Sequence, residues 1–415
     1  MIYQKRKTCA ICGNRELNLV LDYGDVPAAG SFPLVSEIEN EPKYQLGLEF
    51  CDKCGLLQTN SILDGNYLFK DYRYMSSVGL SKHFTEVAAL LQAEFNLNKT
   101  SCVVEIGSND GVLQLPFKDL GVSVVGVEPS VNISQLAKDK GVKTINDFFN
   151  YDTSLKYFEP KSADLVISNN CFAHIDDIHS VLKGIQNILK DSGTFVMEVH
   201  YVEKLIIGLQ YDNIYHEHLY YYSLYALENL FKQYGMTIVD CCELSVHAGS
   251  IRVYVQNKQF CSAKTTRLSQ QIDKEHDLGL HKLSFYKKFV SLVKNHCNTT
   301  IESLKQIKQS GARIVGYGAS GRANMACNIW GLDSEIIEYI VDESPERAGR
   351  YTAGTNIPIV SKNRLDNDNP DYVMIFAWNF INMIANKLKD RDFKLLCAFP
   401  AFSIHDSEKF KLNTL

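Results

Sequence analysis

Met236-Thr-Ile-Val-Asp-Cys-Cys-Glu-Leu-Ser-Val-His-Ala-Gly-Ser-Ile-Arg-Val-Tyr-Val-Gln256 is the stretch on which the fold turns. Met236 to Leu244 and Ser250 to Gln256 are two β-rich runs, and the connection Ser245–Gly249 is too short to hold a crossover helix. The two runs must therefore form an antiparallel hairpin. Upstream, Cys102 to Gly107, Ser123 to Glu128, Ala163 to Ser168 and Gly193 to Val199 are short apolar runs separated by helical stretches. That is the pattern of buried parallel strands. From about 100 to 260 the chain reads as an α/β unit whose parallel sheet ends in an antiparallel hairpin.

This layout is that of the common methyltransferase fold and differs from a plain dinucleotide-binding domain. Val103-Val104-Glu105-Ile106-Gly107-Ser108-Asn109-Asp110-Gly111 puts an acid at a strand end, followed by two glycines that let backbone approach a ligand at a strand-to-helix turn. Val124-Val125-Gly126-Val127-Glu128-Pro129 ends the next strand on a carboxylate able to hold both hydroxyls of a ribose, or to cap the helix that follows. Glu105, Gly107, Asn109, Gly111 and Glu128 are thus candidates for binding an adenosine-containing cofactor. The first turn reads E-x-G-x-x-x-G, not G-x-G-x-x-G, which favours S-adenosyl-L-methionine over a dinucleotide.

The 415 residues carry a net charge of −5 and are 45% hydrophobic and 22% charged, the profile of a soluble protein of two to four domains that does not coat nucleic acid. No apolar run is long enough to span a membrane, and the start lacks a signal-peptide pattern, so a cytoplasmic location is expected. In a reducing compartment the 12 cysteines argue for metal ligation or burial, not disulfides. Cys9 and Cys12, with Cys51 and Cys54, make two C-x-x-C pairs; two such turns supply the four thiolates of a tetrahedral zinc site. A site filled by four thiolates has no position for water, so its role is expected to be structural.

After the fifth strand comes Tyr215-His216-Glu217-His218-Leu219-Tyr220-Tyr221-Tyr222-Ser223, beyond the carboxyl end of the sheet where ligands of open α/β folds bind. Two histidines flanking a glutamate offer a general base that titrates near neutrality and a carboxylate to orient it; packed tyrosines with half-exposed histidines are the alternative. The segment resembles a motif of the deoxysugar C-methyltransferases that act on nucleotide-linked ketosugars. Tyr72 to Ser77, Asn169-Asn170-Cys171-Phe172-Ala173-His174-Ile175, His247-Ala248-Gly249-Ser250-Ile251-Arg252 and Gly316-Tyr317-Gly318-Ala319-Ser320-Gly321-Arg322 are similar to further motifs of that family, in order along nearly the whole chain. Ala248 departs from the family's frequent glycine.

The resemblance implies an N-terminal zinc domain (1–66), a class I, Rossmann-like methyltransferase domain (67–265), a helical connector (266–310) and a C-terminal Rossmann-like α/β domain (311–415). It implies that His218 is the base, with Glu217, Tyr215, Tyr74, His174 and Asn170 shaping the catalytic site and Asn169 joining the cofactor residues. Ser76, Ser250, Arg252, Gly318, Ser320 and Arg322 would bind a nucleotide-linked ketosugar. A monomer or weak homo-oligomer is expected. Gly316-x-Gly318-x-x-Gly321, with Asp342 ending the next strand, also matches a dinucleotide fingerprint, so an NAD-dependent or bifunctional sugar oxidoreductase stays open. So do O- or N-methylation and a non-catalytic zinc protein. In the connector, Leu280, Leu283, Phe285, Phe289, Leu292 and Val293 mark the expected buried stripe.

Overall fold

The computed structural model describes residues 2–70, 75–389 and 391–406. Among these residues the central sheet has seven strands, in the order Met236–Leu244, Ser250–Asn257, Leu189–His200, Ala163–Asn169, Cys102–Ile106, Ser123–Val127 and Lys143–Ile145. Ser250–Asn257 runs antiparallel to both its neighbours, and the remaining pairs are parallel. The hairpin read from the sequence is present, and the sheet has the class I methyltransferase order. Strand order reverses between Cys102–Ile106 and Ala163–Asn169, which opens a crevice at their carboxyl ends.

The N-terminal residues do not form a separate body. Asn18–Val26, Tyr44–Phe50 and Leu57–Thr59 make an antiparallel sheet whose fourth strand is Tyr220–Tyr221, from the histidine-rich motif. Cys9, Ile11, Cys51, Cys54 and Leu56 share a buried cluster with Leu224, Leu227 and Leu230 of the central unit. On the other side, Leu21, Leu48 and Phe50 pack with Tyr286, Phe289, Trp330 and Ile340. So small a sheet cannot bury enough surface alone, and it obtains a core by wedging between two larger units.

The connector comprises the helices Thr266–Leu278 and Leu283–Gln309, with left-handed Gly279 closing the first. Tyr286, Phe289, Val293, Thr300 and Leu304 form the long helix's buried stripe at spacings of three, four and seven. Leu292 belongs to the expected stripe but is 55% exposed, because it lies one position off the Phe289–Val293 face. The C-terminal sheet orders Ile359–Val360, Ile340–Val341, Ile314–Tyr317, Tyr372–Ile375 and Lys394–Cys397 in parallel, and Ser403–Asp406 closes it antiparallel. No described helix is long and apolar enough to cross a membrane.

Candidate active site and cysteine centre

At the crevice, Gly107 and Gly111 have φ of +69° and +79°, and a Cβ on Gly107 would lie 2.4 Å from Cys171 Sγ. Only glycine suits this turn. Glu128 is buried and uses both carboxylate oxygens locally: Oε2 accepts from the Asn109 N–H at 2.9 Å and Oε1 from the Ser130 N–H at 2.9 Å. Glu128 therefore serves locally as a cap, and because a carboxylate offers about four lone-pair sites, these two contacts leave acceptor capacity for a ligand hydroxyl. Glu105 is buried near Glu128 and Asp110, and desolvation followed by those two charges pushes its pKa well above the ordinary carboxylate range.

Glu105 Oε2, Ser108 Oγ, Ser168 Oγ and both polar atoms of the Asn169 side chain are buried without a hydrogen-bond partner among the described residues. Native proteins rarely leave such groups orphaned, so a cluster of them around one crevice fits a polar ligand. They match the needs of S-adenosyl-L-methionine, whose ammonium, carboxylate and ribose would satisfy acceptors and donors alike. Ser76 lies over the glycine turn, its N–H donating to Asn109 Oδ1 at 2.8 Å. Tyr72, Arg73 and Tyr74 fall outside the described residues.

Next to this crevice stands His218. Its Nδ1 lies 2.8 Å from the Asn213 carbonyl, which can only accept, so Nδ1 carries the proton and Nε2 the lone pair of the neutral ring. Burial, with His174 adding to it, pushes the His218 pKa well below that of free imidazole. The Tyr215 ring lies 4.0 Å from the His218 ring between centroids, and His174 lies 5.0 Å away on the same measure. His174 donates from Nδ1 to the Glu217 carbonyl at 2.6 Å, and burial lowers its pKa too. Both rings therefore stay neutral, with the lone pair on Nε2.

The expected carboxylate–imidazole pairing within the motif is not formed. Glu217 Oε1 accepts from the Gly30 N–H at 2.9 Å, tying the motif to the N-terminal loop, and the group that orients His218 is the Asn213 carbonyl. His216 is fully buried on the opposite side, against Tyr44 and the Gln45 carbonyl. A turn over Tyr215–His218, closed by the His218 N–H donating to the Tyr215 carbonyl at 2.9 Å, separates the two histidines' surroundings and leaves His216 in the role of a core residue.

The substrate candidates fare unevenly. Arg252 is opposite Glu198 in the sheet register and pairs with it at 2.9 Å; both are buried, so its charge is answered inside the protein and is not free for a ligand. Glu198 also accepts from His83 at 3.1 Å and from Asn170 Nδ2 at 3.2 Å, placing left-handed Asn170 (φ +49°) beside the crevice. Ser250 is buried and donates to the Val246 carbonyl. Gly318 has φ of +91°, and Ser320 caps the helix Gly321–Trp330 by accepting from the Ala323 N–H. Arg322 gives Nε and Nη2 to Asp212 at 2.9 and 2.8 Å and stacks on Trp378.

A Cβ on Gly321 would lie 3.4 Å from Ala29 Cβ, and Asn324 Nδ2 donates to the Ala29 carbonyl at 2.8 Å. A chain segment thus covers part of the helix start that a dinucleotide would use. Asp342, the acid of that fingerprint, pairs with Arg347 at 3.3 Å.

Glu198, Asp212 and Asn213 are functional-site neighbours that motif reading missed. Glu198 left a signal, a lone acid inside the apolar run Gly193 to Val199; Asn213 acts through its carbonyl, which no side-chain pattern reveals.

The four cysteine sulfurs lie within 4.8 Å of one another, with Cys9–Cys54 at 3.4 Å and Cys12–Cys51 at 3.6 Å. A tetrahedron with zinc–sulfur bonds of about 2.3 Å has edges of roughly 3.8 Å, so the donor set fits zinc. Each pair ends in a left-handed glycine, Gly13 (φ +69°) or Gly55 (φ +76°), whose N–H returns to the carbonyl of the first cysteine.

Three family models match in order: "Putative zinc binding domain" over residues 9–69, "Methyltransferase domain" over 80–240 and "C-methyltransferase C-terminal domain" over 245–400. The Ubiquinone biosynthesis O-methyltransferase of Rhodopseudomonas palustris is 27% identical over 28% of this chain and 47% of its own. The PH0226 protein of Pyrococcus horikoshii matches with a TM-score of 0.38 and 19% identity, over 46% of this chain and 98% of that one. The C-methyltransferase NovU of Streptomyces niveus is 30% identical over 388 residues, 92% of either chain. With that relative spanning both chains, the protein belongs to the C-methyltransferase family and carries the S-adenosylmethionine-dependent class I fold.

Proposed function

We propose that the protein methylates a carbon adjacent to the ketone of a nucleotide-diphosphate-linked deoxy ketosugar, with His218 as general base. The observation that carries the reading is the fixed tautomer of His218, which leaves the Nε2 lone pair on a ring 5.0 Å from His174, just past the strand end that carries Asn169. A carbon next to a ketone is too weak an acid to ionise unaided. His218 Nε2 takes its proton, while Asn170 or Tyr74 donates a hydrogen bond to the enolate oxygen that forms; His174, whose single N–H goes to the Glu217 carbonyl, cannot serve as that donor. The enolate carbon then forms the new carbon–carbon bond to the methyl group. S-adenosyl-L-methionine, when bound, would supply that methyl as an electrophile, its methyl–sulfur bond breaking to leave the neutral thioether. Glu105, Asn109, Glu128 and Asn169 would hold it, and Gly107 and Gly111 give it room.

Cys9, Cys12, Cys51 and Cys54 would hold a structural zinc that fastens the N-terminal loops to the central unit. The C-terminal unit would contribute the nucleotide end of the sugar site, with the backbone amides of Ala319 and Ser320 offered to the phosphates; the Gly318 N–H is taken by the Val341 carbonyl. Incubation with methyl donor and a panel of nucleotide ketosugars tests the reading: one sugar should gain a carbon-bound methyl, located by product NMR. A methyl on oxygen or nitrogen, or nicotinamide-dependent turnover in place of methylation, would overturn it.

A further inference from the structure

We infer that the buried turn Tyr211–Asn213 is a positioning device through which the C-terminal unit sets the orientation of His218. This rests on the reading of His218 as the base. Each residue of the turn is pinned from a different direction. The Trp330 indole N–H donates to the Tyr211 hydroxyl at 2.8 Å, that hydroxyl donates to His296 Nδ1 at 2.8 Å, and His296 Nε2 donates to the Ala398 carbonyl at 2.7 Å. The direction of the chain is fixed, because an indole can only donate and a carbonyl only accept.

Asp212 receives a two-pronged bond from Arg322 and a third from the Trp378 indole at 2.9 Å, with the guanidinium stacked 4.4 Å over that same ring. Planar, bidentate pairing restricts rotation as well as distance. Asn213 then presents its carbonyl to His218 Nδ1 at 2.8 Å and to the Tyr221 hydroxyl at 3.3 Å, using both lone pairs.

Trp330, Arg322, Trp378 and Ala398 all come from the C-terminal unit, and His296 from the connector. The carbonyl that fixes the base's tautomer is therefore held by residues 85 to 166 positions downstream of the groups they bind. Arg322 acts here through Asp212, not as a ligand for phosphate. Displacements of about 1 Å remote from the chemistry can cost on the order of 100-fold in rate, so loosening the turn should reduce turnover without touching the donor crevice.

The test uses full-length protein labelled with nitrogen-15 histidine and needs no substrate. The His218 ring signals are assigned by their loss in His218→Asn. Asp212→Asn, Arg322→Lys and the gentler Trp378→Phe are compared with the parent, and S-adenosylmethionine affinity within about twofold of the parent certifies the fold. In the parent, His218 should show the Nδ1–H tautomer with slow solvent exchange. In the certified variants, exchange should rise on the order of tenfold, least in Trp378→Phe, with the second tautomer becoming visible. An unchanged His218 signal in every certified variant would overturn the inference. So would a signal unchanged in Asp212→Asn alongside tighter inorganic phosphate binding, which would assign Arg322 to a ligand. The readout is independent of turnover, so failure of His218 as base and failure of this clamp are separate outcomes.

Discussion

His216 and His218 are two residues apart, yet burial gives them different consequences for acid. His216 is fully buried; Nε2–H donates to the Gln45 carbonyl at 3.3 Å, and Nδ1 has no partner among the described residues. Protonation at Nδ1 would create a buried N–H with nothing to accept it, a cost of about 1–3 kcal/mol. Desolvation accordingly lowers the His216 pKa to about 4. The sign follows from linkage: the unfolded chain, with a histidine pKa near 6.5, binds the proton that the fold refuses, so stability is full above that value and is lost as pH falls toward about 4. Between pH 7 and pH 5 the loss comes to about 2 kcal/mol, which agrees with the cost of the orphaned N–H. His216→Gln keeps a donor for Gln45 and removes the titration. In thermal unfolding at pH 7 and pH 5, the parent should lose about 4–8 °C more than the variant, at roughly 2–4 °C per kcal/mol for units of this size. The other buried histidines contribute to both proteins and cancel. Parallel pH curves would refute the reasoning and show that His216 reaches water.

Protein purified without chelator should hold one zinc per chain by elemental analysis. Stripping the metal, or Cys51→Ser, should lower the melting temperature more than it alters donor affinity, because the four-cysteine turns lie in the core shared with Leu224 and Leu227. Glu128→Ala should weaken S-adenosylmethionine binding at least tenfold by calorimetry, since it removes the proposed ribose acceptor and two backbone tethers, each charged hydrogen bond being worth about 1.5–3 kcal/mol. Asp342→Ala, paired with Arg347 in the other unit, should leave that affinity unchanged. The pH profile of turnover should keep its acid limb below pH 6.5, because burial lowers the His218 pKa and preserves its neutral form there.

Hydrophobic periodicity made the central sheet legible, because buried parallel strands are short apolar runs and a five-residue connection permits only a hairpin. The glycine turn at the crevice was legible for a related reason: Gly107 and Gly111 mark positions where any side chain would strike a neighbour. Contacts between units were not. Nothing local in Arg322 announces that Asp212 neutralises it, and nothing in Arg252 announces Glu198, since each pair joins residues far apart in sequence. The same holds for Tyr220–Tyr221, where nothing local shows a strand paired with Leu57–Gln58. Ala248 gains meaning only from coordinates: its φ of +64° is a conformation that glycine adopts without strain, which accounts for glycine being frequent there in the family it resembles.

The most direct test of the central claim is the single-turnover rate of methyl transfer in His218→Asn, measured on a ketosugar accepted by the parent, with donor and sugar binding followed by calorimetry. Asparagine retains a polar group of similar reach but cannot accept the carbon-bound proton. The account predicts binding within a few-fold of the parent and a rate lower by about 10²–10⁴-fold, the usual contribution of a general base. A near-normal rate in His218→Asn, with deuterium from heavy water still entering the carbon beside the ketone as fast as in the parent, would contradict it and pass the role of base to another residue, His174 first.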